Sequence, residues 1–397
     1  MNDYMSYPKA WKPDQEEFQD LMMASAARYE ALFAAADDAA SGWPYPFFLA
    51  HALPADAGPE GLGAVRDWLA EWKLDGIRAQ LVRRGGRAWL WSRGEELITD
   101  RFPELDAVAA ALPDGTVLDG EIVAWRDGAP APFQLLQQRI ARKRLTARVL
   151  AEAPARFIAF DLLQWQGADW RERPQAERRA RLEQVGAAHG LAVSPRLHAD
   201  DWAGHAAHRD RSRAQGAEGL MLKALDATYG IGRVRGGWWK WKVDPLRLDA
   251  VLVYAQAGHG RRAGVYTDYS FALWNRTPRD AAEAAEVADA IARREPARAG
   301  ALQLVTFAKA YSGLSDAEFA EVDRVIRATT IEKFGPVRSV RPTLVFELGF
   351  EGVNLSPRHK SGLAVRFPRM LRIRRDKPLH EADTLEALRA LGSLAEG

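Results

Sequence analysis

Two alternating apolar runs joined by a pair of glycines constrain this chain more than any other stretch: IRAQLVRR at 77–84, Gly85-Gly86, then RAWLWS at 87–92. Side chains in a strand alternate between faces, and a two-residue glycine link closes an antiparallel hairpin. Directly before the hairpin lies KLDGIR, Lys73 to Arg78, so a lysine stands two residues ahead of an Asp-Gly turn. The turn fixes the backbone, and the strand that follows carries Arg78 back toward the same place. Lysine is ordinarily a solvated point charge and becomes a nucleophile only where its surroundings favour the neutral amine. Taken alone, the six residues also read as a surface lysine before a turn.

The hairpin is followed by more of the same texture. TVLDGEIVAW, RFIAFDLLQW, EGLMLKA and GWWKWKV are strand candidates rich in β-branched and aromatic residues. Helices are expected between them at Phe102 to Ala111, at Pro132 to Leu150, and in PQAERRARLEQVGAAHG, with Pro174 at its start and Gly190 at its end. Strands mixed with helices without strict alternation predict an α+β domain. After Asp244-Pro245 come five strand-like runs: LDAVLVYAQAG, YSFALWN, LQLVTFAKAYSG, PTLVFELGFEG and GLAVRFPRMLRIRR. A helix with a Ser315/Glu318 capping box and Gly335 at its close is expected between the third and fourth. Five strands with that helix fit a Greek-key barrel of the OB type. The Ala/Glu/Arg-rich 281–299 reads as an exposed helix, and Leu385, Leu388 and Leu391 as a terminal helix against the core. The expected divisions are a helical extension at 1–49, with its helix over 14–40, a domain at 50–245, a barrel at 246–380 and a tail at 381–397.

The 397 residues correspond to two or three domains at about 150 residues each. Net charge is only +2, but it is unevenly spread: Arg358 to Lys377 holds eight Lys/Arg against Asp376 alone. Such a patch suits phosphates. With Cys 0, disulfides and cysteine-ligated zinc are excluded. The polar N-terminus has no apolar signal core, and no apolar run approaches the roughly 18 residues of a membrane helix, so a soluble cytoplasmic protein without a membrane partner is expected.

Each candidate strand contributes polar groups of one kind. The first hairpin offers Lys73, Arg78 and, in Ser92-Arg93-Gly94, Arg93. TVLDGEIVAW offers Glu121, RFIAFDLL offers Phe160 and Asp161, EGLMLKA offers Glu218 and Lys223, and GWWKWKV offers Lys240 and Lys242 on one face. Such a set suits a nucleoside triphosphate and a divalent cation: cations for phosphate, a glutamate for Mg²⁺, an aromatic face for a base. Singly, each has a plainer explanation. Glu121 could be an edge charge, Phe160 a core residue, Lys240 and Lys242 a solvated face opposite Trp239 and Trp241, and Glu218 with Lys223 a surface ion pair.

Taken in order, these segments resemble the nucleotidyltransferase motifs of ATP-dependent DNA ligases of bacterial type. KLDGIR is similar to motif I, SRG to Ia, LDGEIV to III, FIAFDLL to IIIa, EGLMLK to IV and WWKWK to V; RFPRMLRIRRDK is similar to motif VI. The resemblance runs from about Pro44 to Lys377. It implies an adenylation (nucleotidyltransferase, ATP-grasp-like) domain followed by a C-terminal OB-fold β-barrel, with ATP and Mg²⁺ (or Mn²⁺) as cofactors. It also implies a monomer that seals nicks in double-stranded DNA during repair, recombination or replication, with a DNA-repair protein as a potential partner.

Carried over residue by residue, the resemblance makes Lys73 the nucleophile that takes AMP from ATP. Glu71 would meet the adenine edge, Phe160 would stack on the ring, and Glu121 would hold the ribose and help hold metal. Arg78 and Arg93 would face ribose and phosphate, Glu218 would hold Mg²⁺, and Lys240 and Lys242 would contact the α-phosphate. Arg374, Asp376 and Lys377 would orient pyrophosphate when the second domain closes. Either Arg233 or Arg235 could be the arginine that precedes motif V. Only about 45 residues stand before the core, too few for the helical DNA-binding domain usual in larger relatives, so weak grip on a nick is expected. An RNA ligase or capping-type nucleotidyltransferase shares the lysyl-nucleotide step and stays open, as does a non-catalytic nucleic-acid-binding protein. An NAD-dependent ligase is disfavoured by the missing cysteines and by the C-terminal RRDK.

Overall fold

The structure is a computed structural model that describes residues 42–54, 58–142, 144–258, 264–296, 298 and 300–393. The helix expected over 14–40 lies outside these described residues. The chain forms two compact units, Met1–Lys242 and Val243–Gly397, and the elements are mixed α+β.

In the first unit the strands are β1 (His51–Ala52), β2 (Trp68–Leu74), β3 (Ile77–Arg84), β4 (Arg87–Ser92), β5 (Thr116–Arg126), β6 (Ala129–Ala131), β7 (Ala155–Trp165), β8 (Ala168–Asp169), β9 (Arg196–Leu197), β10 (Ala217–Ala224) and β11 (Trp238–Lys242). They make two sheets, one ordered β1-β11-β10-β2-β9 and the other β4-β3-β5-β7-β8, with β6 on β5. The expected hairpin is β3 with β4, antiparallel from Arg84↔Arg87 to Ala79↔Ser92. One face of the second sheet buries Leu81, Leu118, Ile122, Phe157 and Leu162 with Leu182 and Val185 of the helix Gln175–His189. Its other face buries Val82, Val117 and Leu163 against Phe48, Tyr229 and Trp238. At the start of the expected 50–245 domain, β1 pairs in parallel with β11.

Two of the expected helices are shorter than their composition implies. Phe102 precedes Pro103 and takes a non-helical backbone, so 3-10 turns at Thr99–Arg101 and Pro103–Leu105 lead into only Asp106–Ala110. The stretch 132–150 divides into Gln134–Ile140 and Ala147–Glu152, the latter restarted by Thr146 as N-cap.

The second unit contains β12 (Leu246–Ala257), β13 (Tyr266–Trp274), β14 (Leu304–Ala310), β15 (Thr330–Phe334), β16 (Val337–Val340), β17 (Val345–Phe350), β18 (Gly352–Leu355), β19 (Leu363–Arg366) and β20 (Arg369–Ile373). The path β14-β13-β12-β17-β20 is the strand order of an OB-fold. Between β20 and the end of β14 the Met370 N–H donates to the Ser312 carbonyl at 3.0 Å. The capping-box helix stops at Thr329 rather than Gly335. Its sequence turns β-branched at Thr329-Thr330-Ile331, and Gly335 instead turns the hairpin of β15 and β16, which pairs with the far end of β12. GLAVRFPRMLRIRR is two strands, interrupted at Phe367-Pro368. The helix in 281–299 spans Ala281–Ala292, capped by Asp280, with Ala284 and Ala288 buried. In the last helix, Leu385–Ser393, Leu385 and Leu388 are buried in the core of the second unit. No helix among the described residues is long and apolar enough to cross a membrane.

The first unit is braced by buried charge. Asp161 on β7 receives Arg178 Nε at 2.8 Å and Nη2 at 3.0 Å, both residues fully buried. Removing one partner strands the other charge in the core, so Asp161→Ala should reduce stability by about 3–5 kcal/mol. Urea unfolding followed by tryptophan fluorescence measures this, and a loss below about 1 kcal/mol, the scale of an exposed pair, would contradict it.

Candidate active site

β2 leaves the core at Lys73: Leu69, Ala70 and Glu71 are buried, while Trp72, Lys73 and Leu74 are partly exposed. Opposite it, β10 pairs Ala217 with Leu74 and Leu220 with Trp72, so Glu218 and Gly219 together face the single residue Lys73. This is a β-bulge, which re-aims side chains at the point where it breaks the ladder. Gly219 has φ +139°, and a Cβ there would lie 2.3 Å from the Trp241 carbonyl oxygen, so only glycine fits. The outcome is a short ion pair, Lys73 Nζ to Glu218 Oε2 at 2.8 Å, and the same oxygen takes Lys242 Nζ at 2.9 Å. Burial alone would raise the Glu218 carboxyl, but Lys73 and Lys242 hold it well below the usual range. Glu218 and Lys223 are therefore not paired with each other.

A ring of cations surrounds this pair. The Lys240 ammonium is pushed down by burial and then by Lys73, Lys242, Arg233 and Arg93. Like charges gathered this way call for an anion. Arg233, Arg235 and Arg93 are all exposed, and Arg233 is the member of its pair that acts on Lys240. Trp238 is buried on the same strand face as the two lysines, while Trp239 and Trp241 pack with Trp202 on the other face.

The second sheet supplies the other wall. In the register Arg78↔Glu121 on β3 and β5, Glu121 is partly buried beside Lys73 and Arg78. Gly76 of the Asp-Gly turn packs so closely there that a Cβ would meet the Ile122 carbonyl oxygen at 2.3 Å and Glu121 Cγ at 2.8 Å. Loss of water pushes the Glu121 carboxyl up to about 8, against the pull of Lys73 and Arg78. Phe160 lies with Lys223 Nζ 4.3 Å and Arg78 Cζ 5.5 Å from its ring centroid, and with Trp238 edge-on at 6.0 Å.

Four expected site residues are engaged with protein partners. The Glu71 side chain is buried and ion-paired with Arg179 and, at 2.6 Å, with Lys223. It braces β2 from beneath. Arg78 is held in bidentate fashion by Asp119, Nε at 3.1 Å and Nη2 at 2.7 Å. Arg374 and Lys377 lie in the second unit, where both bind Asp249. Asp119 was missed in the sequence, as was Tyr229, whose hydroxyl donates to it at 2.6 Å. The missed signal is Asp119-Gly120-Glu121: residues two apart share a strand face, so both acids point toward Arg78.

Among the described residues no three His, Asp or Glu side chains gather to hold a metal ion. Glu218 and Glu121 still suit Mg²⁺, which commonly takes one or two carboxylates and fills its shell with phosphate and water.

A raised carboxyl predicts how stability varies with pH. Folding moves the Glu121 carboxyl from the ordinary glutamate range up to about 8, so its contribution is complete below the unfolded value and is lost as pH rises through the folded one. In ligand-free protein Glu121→Gln should raise the Tm relative to the parent at pH 8 more than at pH 5. Equal differences at the two pH values in thermal unfolding would contradict the raised carboxyl.

Comparison with known proteins finds similarity to DNA ligases. A family model described as "ATP dependent DNA ligase domain" matches residues 51–242. A "Probable DNA ligase" of Koribacter versatilis is 36% identical over 367 residues, 86% of this chain and 59% of that protein. A "Probable DNA ligase" of Opitutus terrae is 38% identical over 86% of this chain and 34% of that protein. "DNA ligase 1" of Korarchaeum cryptofilum is 35% identical over 81% and 55%. The chain thus spans between about a third and three fifths of the length of these relatives. A solved structure from a study of Lig E DNA ligases shares the fold at a TM-score of 0.54 and 21% identity, covering 83% of this chain and 100% of that one. The lysine–glutamate pair and the cationic pocket around it thus lie within residues 51–242, the part of the chain that matches the ATP dependent DNA ligase domain.

Proposed function

We propose that the protein is an ATP-dependent DNA ligase that seals nicks in duplex DNA through a lysyl-AMP intermediate on Lys73. The observation that carries this reading is the amine of Lys73, anchored by Glu218 at 2.8 Å beside Lys240, Lys242, Arg233 and Arg93. Lys73 Nζ attacks the α-phosphorus of ATP; the new N–P bond forms as the bond to pyrophosphate breaks, and the amine proton leaves to solvent. Positioning and charge neutralisation govern such a transfer. Lys240 and Lys242 take the charge that builds on the α-phosphate oxygens. Glu121 reaches the ribose, with Asp119 and Tyr229 holding Arg78 beside it, and Phe160 offers a face to the base. A divalent cation held by Glu218 and Glu121 would add charge neutralisation on phosphate. The 5′-phosphate of a nick then takes AMP from Lys73, and the adjacent 3′-hydroxyl displaces the AMP to join the strand.

Incubation with α-labelled ATP should leave a covalent label that Lys73→Ala abolishes. A label on the Lys73→Ala protein, or labelling by GTP in preference to ATP, would overturn the proposal, the latter in favour of a capping-type enzyme. Lys240→Ala should slow labelling by about 10²–10³, the scale of losing one charge-stabilising donor. Quench-flow measurement of the labelled protein reads this, and an unchanged rate would remove Lys240 from the phosphate site.

A further inference from the structure

Residues 45–49 stand ahead of β1 and outside the family match at 51–242, yet they are laced into the pocket of the first unit. The Tyr45 N–H donates to Gln80 Oε1, and Gln80 Nε2 donates back to the Tyr45 carbonyl, each at 2.8 Å. The Phe47 ring centroid lies 5.3 Å from Arg78 Cζ. Phe48 is 2% exposed and packs on Trp238 at 4.9 Å and on Tyr229 at 5.8 Å. Its N–H donates to the Tyr229 hydroxyl at 3.3 Å. The last two bonds meet at a single residue: the Leu49 N–H donates to the Gly232 carbonyl at 2.7 Å, and the Gly232 N–H donates to the Phe47 carbonyl at 3.0 Å.

Gly232 belongs to the loop between β10 and β11. The Ala224 N–H closes that loop on the Gly237 carbonyl at 2.8 Å. Gly230 and Gly237 lie so near Phe48 that a Cβ would meet its ring at 3.0 and 3.1 Å. Gly232 itself has φ +65°, and a Cβ there would meet nothing within 4 Å. The demand at this position is therefore on the backbone and not on space: only the left-handed conformation aims its N–H and its carbonyl at the same segment. Arg233 follows directly, exposed, and acts on the Lys240 ammonium. An exposed side chain gets its direction from the backbone that carries it. A loop cation left free would have to be ordered at each transfer, at an entropic cost.

We propose that residues 45–49 form a strap whose tie at Gly232 positions Arg233 beside the phosphate site of Lys73 and Lys240, making Gly232 a positioning residue for the transfer of AMP to Lys73. The inference deepens the function proposed above and rests on it. Gly232 touches no reacting atom, and no covalent bond forms or breaks at the strap. Its effect passes through the Arg233 charge alone.

The test uses the full chain and the variants Gly232→Val, Gly232→Asn and Arg233→Ala, with the limiting rate of covalent labelling by saturating ATP as the readout. Asparagine enters the left-handed region readily and valine does not. Gly232→Val should slow labelling by about 10- to 100-fold, as misplacement of a binding group does. Gly232→Asn should stay within about threefold of the parent, since it keeps the backbone conformation. In the Arg233→Ala background the valine should cost less than about twofold more, because the group it misplaces is gone. Gly232→Ala, which also resists the left-handed region, carries the same prediction should the valine variant not fold. Labelling by Gly232→Val at the parental rate would overturn the inference, as would an equal loss in Gly232→Asn or an unchanged rate in Arg233→Ala. So would a valine effect that persists in full without Arg233, which marks a purely structural role. Failure of the parent itself to label with ATP would refute the proposed function instead.

Discussion

The ladder between β2 and β10 cannot stay in register through Glu218 and Gly219, and the first unit's chemistry follows from that irregularity. In a regular pairing Glu218 would stand in step with its neighbours on one face of the sheet. The extra residue turns its carboxylate onto Lys73 and Lys242 instead. Glycine is required there by a carbonyl 2.3 Å from where a side chain would begin. Once the carboxylate is so placed, the amine is anchored at the strand end and the surrounding lysines and arginines collect an unbalanced positive field. Beneath it, Glu71 with Arg179 and Lys223, and Asp161 with Arg178, tie the helix Gln175–His189 and both sheets together. The buried ions stiffen the platform, and the exposed ones are left for a ligand.

Much of the first unit was legible because its strands alternate and its turns carry glycine. The β3–β4 hairpin, β5, β7, β10 and β11 lie where periodicity and composition put them. Charge assignment was harder. Glu71 and Lys73 are two apart on one strand, and only the depth at which β2 leaves the core gives Glu71 a buried ion pair and Lys73 a partly exposed one. The Asp119–Arg78 pair was hidden for the opposite reason, since an acid before glycine reads as a turn until the register across β3 is known.

In the second unit the misreadings were of boundaries. Helix propensity runs smoothly from Asp316 past Thr329, yet the chain changes to strand where β-branched residues begin, and Gly335 serves a hairpin turn rather than a helix cap. Phe367-Pro368 divides what reads as one strand, because proline cannot donate to a ladder. The basic stretch ending at Lys377 was visible as charge. Its restraint by Asp249 was not, because that contact spans more than a hundred residues of sequence and depends on β12 pairing with β17.

Lys73 as the carrier of AMP is the claim on which the functional account stands. Mass spectrometry of the protein after incubation with ATP and Mg²⁺, followed by peptide mapping of any adduct, addresses it directly. The account predicts one AMP per chain, attached at Lys73 and released by acid, as a phosphoramidate is. An AMP adduct mapped to another residue, or none under conditions where ATP is consumed, would contradict it.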